Sequence, residues 1–149
     1  MTQRPWVAFV AVMCAGPSAR VAAQSTPAAP YTAADVHFMA GMIQHHGQAV
    51  LMAGWAPTHG ASSAVRALCE RIVVGQRDEI ALMQRWLNDR HEAVPRADGS
   101  HMMMPGMDSS MLMPGMLTAA QLQRLDQARG REFDRLFLQY MIQHHQGAI

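Results

Sequence analysis

With 149 residues, half of them apolar and 15% charged, the chain is sized for one ordinary domain, and its formal charge of +1 offers no field to gather a polyanion. Nucleic-acid binding is therefore not expected. Fourteen methionines, eight histidines and no lysine make it rich in soft sulfur and imidazole donors, the side chains that take up soft and borderline metal ions.

At the N-terminus, Arg4 precedes an apolar run from Trp6 to Gly16, and Val21-Ala22-Ala23 supplies the small residues of a cleavage site. Residues 1–23 read as a secretory signal peptide, which places the mature chain in the periplasm or outside the cell. The run is far shorter than the roughly 20 residues a membrane-spanning helix needs, so no membrane anchor is expected after cleavage. Met13, just before Cys14, is too bulky for a lipid-attachment motif. Cleavage leaves Cys69 as the sole cysteine, which rules out an intramolecular disulfide in this reading. Cys69 itself sits in an apolar helical pattern and reads as a small core residue.

Residues 24–31 begin QSTPAAP and read as a flexible leader, so the domain is expected over 32–149. Thr32-Ala-Ala-Asp35 has the spacing of a capping box, and an apolar helical pattern follows to Ala53, where Gly54 and Pro57 stop it. A second pattern from Ser63 to Asn88 carries Val65, Cys69, Ile72, Gln76, Ile80, Met83 and Leu87 at three- and four-residue intervals. A linker over 91–117 contains HMMMPGMDSSMLMPGM from His101 to Met116. Thr118-Ala-Ala-Gln121 is another capping box; it predicts a short helix with Leu122 and Leu125, then a longer one from Arg131 to the chain end. No segment alternates like a strand.

Asp35 onward, DVHFMAGMIQHHGQAV, aligns without a gap with DRLFLQYMIQHHQGAI from Asp134, at an offset of 99 and with eight identities in 16 positions. The expected architecture is all-α: an antiparallel helical bundle of two hairpin repeats, 35–88 and 118–149, the second truncated after one helix. Helical spacing puts Phe38, Met42, His45, Ala49 and Met52 in one stripe and Met39, Ile43, His46, Val50 and Ala53 in the next. The later helix repeats this with Phe137, Met141, His144 and Ala148 beside Leu138, Ile142, His145 and Ile149. Four imidazoles are thereby expected to face one interior, with Gln76 and Glu79 on the second helix in register to bond them.

Two readings follow. In the first, the His, Gln and Glu network fixes helix register without any ligand. In the second, Met39, Met42, His45 and His46, with Met141, His144 and His145, offer sulfur and nitrogen one turn apart to Cu(I) or Ag(I), with Gln76 and Glu79 in support. The linker favours the second, because Pro105, Gly106, Pro114 and Gly115 forbid a regular helix and seven exposed methionines would waste apolar surface. His101, Met102, Met103, Met104, Met107, Met111, Met113 and Met116 are therefore candidate ligands as well; the alternative is a Met-rich strap over the bundle or against a partner. His37, His59 and His91 have no partner evident from spacing and read as surface residues. Trp55 and Trp86 read as packing anchors with no second aromatic beside them.

These residues resemble the bacterial family called domain of unknown function 305, whose pattern is a phenylalanine-led MI-x-HH-x-x-A helix followed by Q-x-x-E-I-x-x-M-x-x-W-L. Here the first part is FMAGMIQHHGQAV, the second Gln76, Glu79, Ile80, Met83, Trp86 and Leu87, and FDRLFLQYMIQHHQGAI returns from Phe133. The resemblance implies a ferritin-like arrangement of two hairpins and, for some members, periplasmic copper or silver binding linked to copper tolerance. It marks His45, His46, His144, His145, Met42, Met141, Gln76 and Glu79 as the family core, and Met113 and Met116 as the linker motif. Two departures stand out: Leu138 replaces the Met39 of the first repeat, and the second Q-x-x-E helix lies beyond Ile149 or is absent, in which case a homo-oligomer would cover the last helix.

The expected function is a non-enzymatic binder that buffers Cu(I), with Ag(I) as a second soft ion, or delivers it to a copper exporter or oxidase, with no metal required for folding. The rivals are a structural or partner-binding helical module and a ferritin-like metal oxidase. The E-x-x-H pairs of a di-iron site are missing, since Val73, Leu82, Pro95 and Arg135 stand three residues after the glutamates.

Overall fold

The computed structural model describes residues 30–98 and 112–148; the segment expected as a signal peptide, most of the expected leader, His101, Met102, Met103, Met104, Met107 and Met111 lie outside the described residues. The chain is all-α, with α1 (Ala33–Gly54), α2 (Ser63–Asn88), α3 (Ala119–Gln127) and α4 (Gly130–Gln146). The Thr32 side chain caps α1 and Asp35 reaches back to the Thr32 backbone; Thr118 and Gln121 do the same for α3, and Ser62 caps α2. Gly130, at φ +58°, makes the sharp turn from α3 into α4, and its N–H donates to the His59 carbonyl.

Helices α1 and α2 form an antiparallel hairpin, in which Tyr31 beside the start of α1 meets Arg90 and Glu92 just past the end of α2. Helix α4 lies along another side of α1, also antiparallel: the Ser62 N–H donates to Asp134 near the start of α4, while His144 near its end bonds to His45 in mid-α1. One apolar cluster at the hinge end joins Met52, Cys69, Leu122, Leu125, Phe133 and Phe137. A smaller one at the far end joins Met42, Ile43, Ile80, Met83 and Leu87. The paired histidines lie between the two.

Four expectations change. Tyr31, assigned to the leader, packs edge-on against Trp86 with ring centroids 5.4 Å apart, and Arg90 lies 4.0 Å over the Trp86 ring. The aromatic partner that Trp86 lacked in the sequence is therefore Tyr31, beyond the helix repeat that pattern reading follows; Trp55 likewise stacks on His59. His59 is buried at 5% exposure, not a surface residue: its Nε2 bonds to the Asp126 carboxylate and carbonyl, and its Nδ1 meets the Thr58 hydroxyl. This clamp ties the α1–α2 corner to the end of α3. Finally, the end of the methionine linker is not exposed as expected but core, since Met116 and Leu117 are buried in the hinge cluster.

Gln48 explains how that end is held. Its side chain is fully buried, donates to the Leu117 carbonyl and accepts from the Leu117 N–H at 2.7 Å. Gln48→Leu strands both backbone groups away from water and is expected to cost about 3 kcal/mol, at 1–3 kcal/mol per unsatisfied group. Urea unfolding of the variant beside the wild type measures it, and an unchanged midpoint would remove this role.

Candidate metal centre

The repeat offset becomes a physical contact here. His45 of α1 and His144 of α4, equivalent positions in the two repeats, stack with ring centroids 3.7 Å apart and planes tilted by 36°. Both are buried, at 2% and 1% exposure. His144 Nε2 lies 3.1 Å from the His45 carbonyl oxygen and so carries the proton. The His45 ring bonds to the Pro114 carbonyl, and because its Nε2 has no partner, the bonded proton is on Nδ1. Burial, then the positive charge His46 and His145 can carry, lowers the His45 pKa to about 4. Burial, followed by His45 itself, lowers that of His144 to about 3. Both rings are neutral at pH 7, the form in which imidazole ligates a metal.

The outer pair is arranged differently. His46 Nε2 sits 2.9 Å from the Glu79 carboxylate, the bond between α1 and α2 expected from the register. His145 is exposed, and its Nδ1 donates to the Met141 carbonyl one turn back, at 2.8 Å. The expectation that all four histidines face one interior therefore holds for His45 and His144, partly for His46, and fails for His145. The stripes fail with it: Phe38, Leu138 and Ile142 are 52%, 41% and 59% exposed. Periodicity identifies a helix face, but the neighbours decide whether that face is covered.

Each of the four rings has one N–H held by a protein carbonyl or carboxylate, and in three of them the second nitrogen is buried and unpaired. Among the described residues, Nε2 of His45, Nδ1 of His46 and Nδ1 of His144 are buried without a hydrogen-bond partner, and so is Oε1 of Gln76. Buried polar atoms are ordinarily paired, so three unpaired nitrogens on neighbouring rings are a departure. An imidazole with one nitrogen oriented by an oxygen acceptor and the other open is how metal-binding histidines are prepared.

The second MPGM motif lies over this crossing. A Cβ at Gly41 of α1 would come within 2.6 Å of the Met113 sulfur, so the missing side chain makes room for the thioether. Pro114 supplies the carbonyl to His45. Gly115, at φ +81°, rests against the α4 backbone, where a Cβ would come within 2.6 Å of the His144 carbonyl oxygen and 2.7 Å of Gly147 Cα. Met113 packs against both apolar clusters, while Met42, Met141 and Met116 are buried and Met39 is half-buried. The sequence marked Met113 and Met116 but missed Pro114 and Gln48. A signal existed: the repeats read HHGQA and HHQGA, and this transposition puts the polar Gln48 where repeat two has Gly147.

Among the described residues, no three His, Cys, Asp or Glu side chains converge to cage an ion. What the crossing offers is imidazole nitrogens, with the Met113 sulfur against α1 one turn before His45. Cys69 stands apart in the hinge cluster, its thiol pushed up to about 11, chiefly by burial.

An all-α domain with a repeated MIQHH helix and a carboxylate from the intervening helix on His46 defines the class. The chain belongs to the DUF305 family, a domain of unknown function, whose pattern matches residues 35–149. A DUF305 protein of Streptomyces coelicolor, described as secreted, is similar in structure at 30% identity and a TM-score of 0.63, over 76% of this chain and 67% of that one. A DUF305 fragment from Deinococcus radiodurans is similar at 28% identity and a TM-score of 0.63, over 79% and 73% of the two chains. None of the curated proteins compared matches this chain. Among the described residues, no helix is long and apolar enough to cross a membrane.

Proposed function

We propose that this protein is a non-enzymatic binder of a soft monovalent metal ion, Cu(I) foremost and Ag(I) by the same chemistry, working after export in the periplasm. The observation that carries the reading is the shared state of His45, His46 and His144, each oriented through one nitrogen and unpaired at the other among the described residues, with the Met113 thioether lying against α1 one turn before His45. His45, His46, His144 and His145 would supply nitrogen; Met39, Met42, Met141, Met113, Met116 and the linker methionines would supply sulfur. Glu79 would hold His46 in its tautomer. Thioether donors, unlike thiolates, are not lost to disulfides in an oxidising compartment, which suits buffering or hand-over to an exporter or oxidase.

The test is anaerobic Cu(I) competition against a chromophoric chelator. Wild-type protein is expected to withdraw the ion, and His46→Ala combined with Met113→Leu to weaken retention about tenfold, the factor that about 1.4 kcal/mol of lost ligation produces. Replacing the seven linker methionines with leucine should weaken it further. Equal competition by wild type and variants would remove the reading.

The stacked His45–His144 pair favours a second reading in which the network only sets how α1 and α4 cross. That reading requires a melting temperature indifferent to Cu(I), whereas an ion bound only by the native state must raise it.

A further inference from the structure

The second MPGM motif is a single reverse turn. The Met116 N–H donates to the Met113 carbonyl at 3.1 Å, and Gly115, third in the turn, has the positive φ of +81° that a type II turn demands there. Three contacts seat this turn on the helices. A Cβ at Gly41 would stand 2.6 Å from the Met113 sulfur, so the thioether fills the notch that glycine leaves in α1. The Pro114 carbonyl accepts from His45, and Gly115 rests on the α4 backbone. Met113 also packs against both apolar clusters, which makes it the turn's apolar anchor on α1. It differs from its neighbours in access. Met42, Met116 and Met141 are buried, whereas Met113 is half-buried, over a half-buried Gly41 and beside the exposed Pro114. Met39 is half-buried too, but it belongs to α1, where a side chain can turn to water without moving the main chain.

We propose that Met113 is an oxidation-sensitive latch: conversion of its thioether to the sulfoxide by a hydroperoxide unseats the turn and withdraws the Pro114 carbonyl from His45. The step is a two-electron oxygen transfer. A sulfur lone pair attacks one peroxide oxygen, the O–O bond breaks and the sulfur–oxygen bond forms; with hydrogen peroxide the other oxygen leaves as water, taking the proton from the transferred one. The product carries a strong hydrogen-bond acceptor where the thioether was apolar. The notch at Gly41 offers that oxygen no donor, because amide N–H groups in the middle of α1 are spent within the helix and the cluster residues beside Met113 are apolar. An unpaired acceptor is costly to bury, so the side chain must leave for water. An alanine at position 41 only shifts this side chain among apolar neighbours; an oxygen on its sulfur expels it from them, and the turn loses its anchor. The latch acts in the metal-free chain and stands apart from the reading of the site as a metal centre.

The test treats the full metal-free chain with hydrogen peroxide and samples it over time. Peptide mass spectrometry is expected to find oxygen on Met113 about tenfold or more faster than on Met116, three residues on in the same turn. The urea midpoint of the wild type should then fall, and the ring N–H proton that His45 donates to Pro114 should be lost from the NMR spectrum. Met113→Leu, which conserves volume and cannot take up oxygen, should keep that proton after the same treatment and shift its midpoint much less. Any other methionine that reacts does so in both proteins, so the difference between them belongs to Met113. Oxidation of Met113 no faster than that of Met116 overturns the proposal. So does an oxidised Met113 with midpoint and proton unchanged, or an equal fall in the two proteins.

Discussion

Gly115→Ala is expected to destabilise the domain by about 3 kcal/mol or more, and Gly41→Ala by less than about 1 kcal/mol, although both glycines receive the same linker segment. At Gly115 two costs add. Its φ of +81° is a conformation an alanine holds only under strain, and the new Cβ would press on α4 main chain, within 2.6 Å of the His144 carbonyl oxygen and 2.9 Å of that of Gln143. Helix backbone cannot yield locally, so the linker must lift. Lifting it withdraws the Pro114 carbonyl from His45 and strains the Gln48–Leu117 bonds. At Gly41 the obstacle is the far end of the Met113 side chain, which has other rotamers, and alanine within a helix recovers about 1 kcal/mol relative to glycine. Chemical denaturation of the two variants measures the contrast. Equal losses would mean that the motif is not seated on α4 as described, and the role given to Pro114 would fall with it.

The parts of the fold that sequence reading reached are those written locally. The capping residues Thr32, Asp35, Thr118 and Gln121 lie three residues or fewer from the groups they satisfy, and α1 and α3 begin where those signals stand. The His46–Glu79 bond was also legible, because a single hairpin carries both residues and one register relates them. His59 was not. It sits in a turn without periodicity, and its partner Asp126 is 67 positions away across the linker. Pro114 was invisible for another reason: it acts through its carbonyl, which every residue possesses. The MPGM motif carried two meanings. Its methionines suggested soft-metal chemistry, and its Gly115 records a close approach of two backbones that composition cannot reveal. The stripe through Leu138, Ile142 and His145 was read correctly as a face and wrongly as an interior, since helical spacing contains no information about the helix that must cover it.

Acidification is the perturbation expected to act most strongly on the site. In the unfolded chain a histidine takes up its proton near pH 6.5, whereas His45 and His144 in the folded domain resist until about 4 and 3. Between those limits the unfolded state binds more protons, so stability must fall as pH falls. It is complete above pH 6.5, declines from there, and is fully lost once the folded rings also protonate. At 1.36 kcal/mol per group for each pH unit, the pair removes roughly 4 kcal/mol by pH 5, a large part of the 5–15 kcal/mol typical of a domain. Asp35, held low by Thr32, and Glu132, held low by Arg135, release stability only below the ordinary carboxylate range. The measurement is urea unfolding at half-unit steps from pH 7.5 to 4.5, with His144→Phe beside the wild type. The variant keeps a flat ring in the stack but cannot titrate, so it should lose about half of the slope between pH 6.5 and 5, whatever its stability at neutral pH. A wild-type curve that is flat over that interval would show that the rings admit protons without opening the crossing, and the neutral, metal-ready state assigned to them would no longer hold.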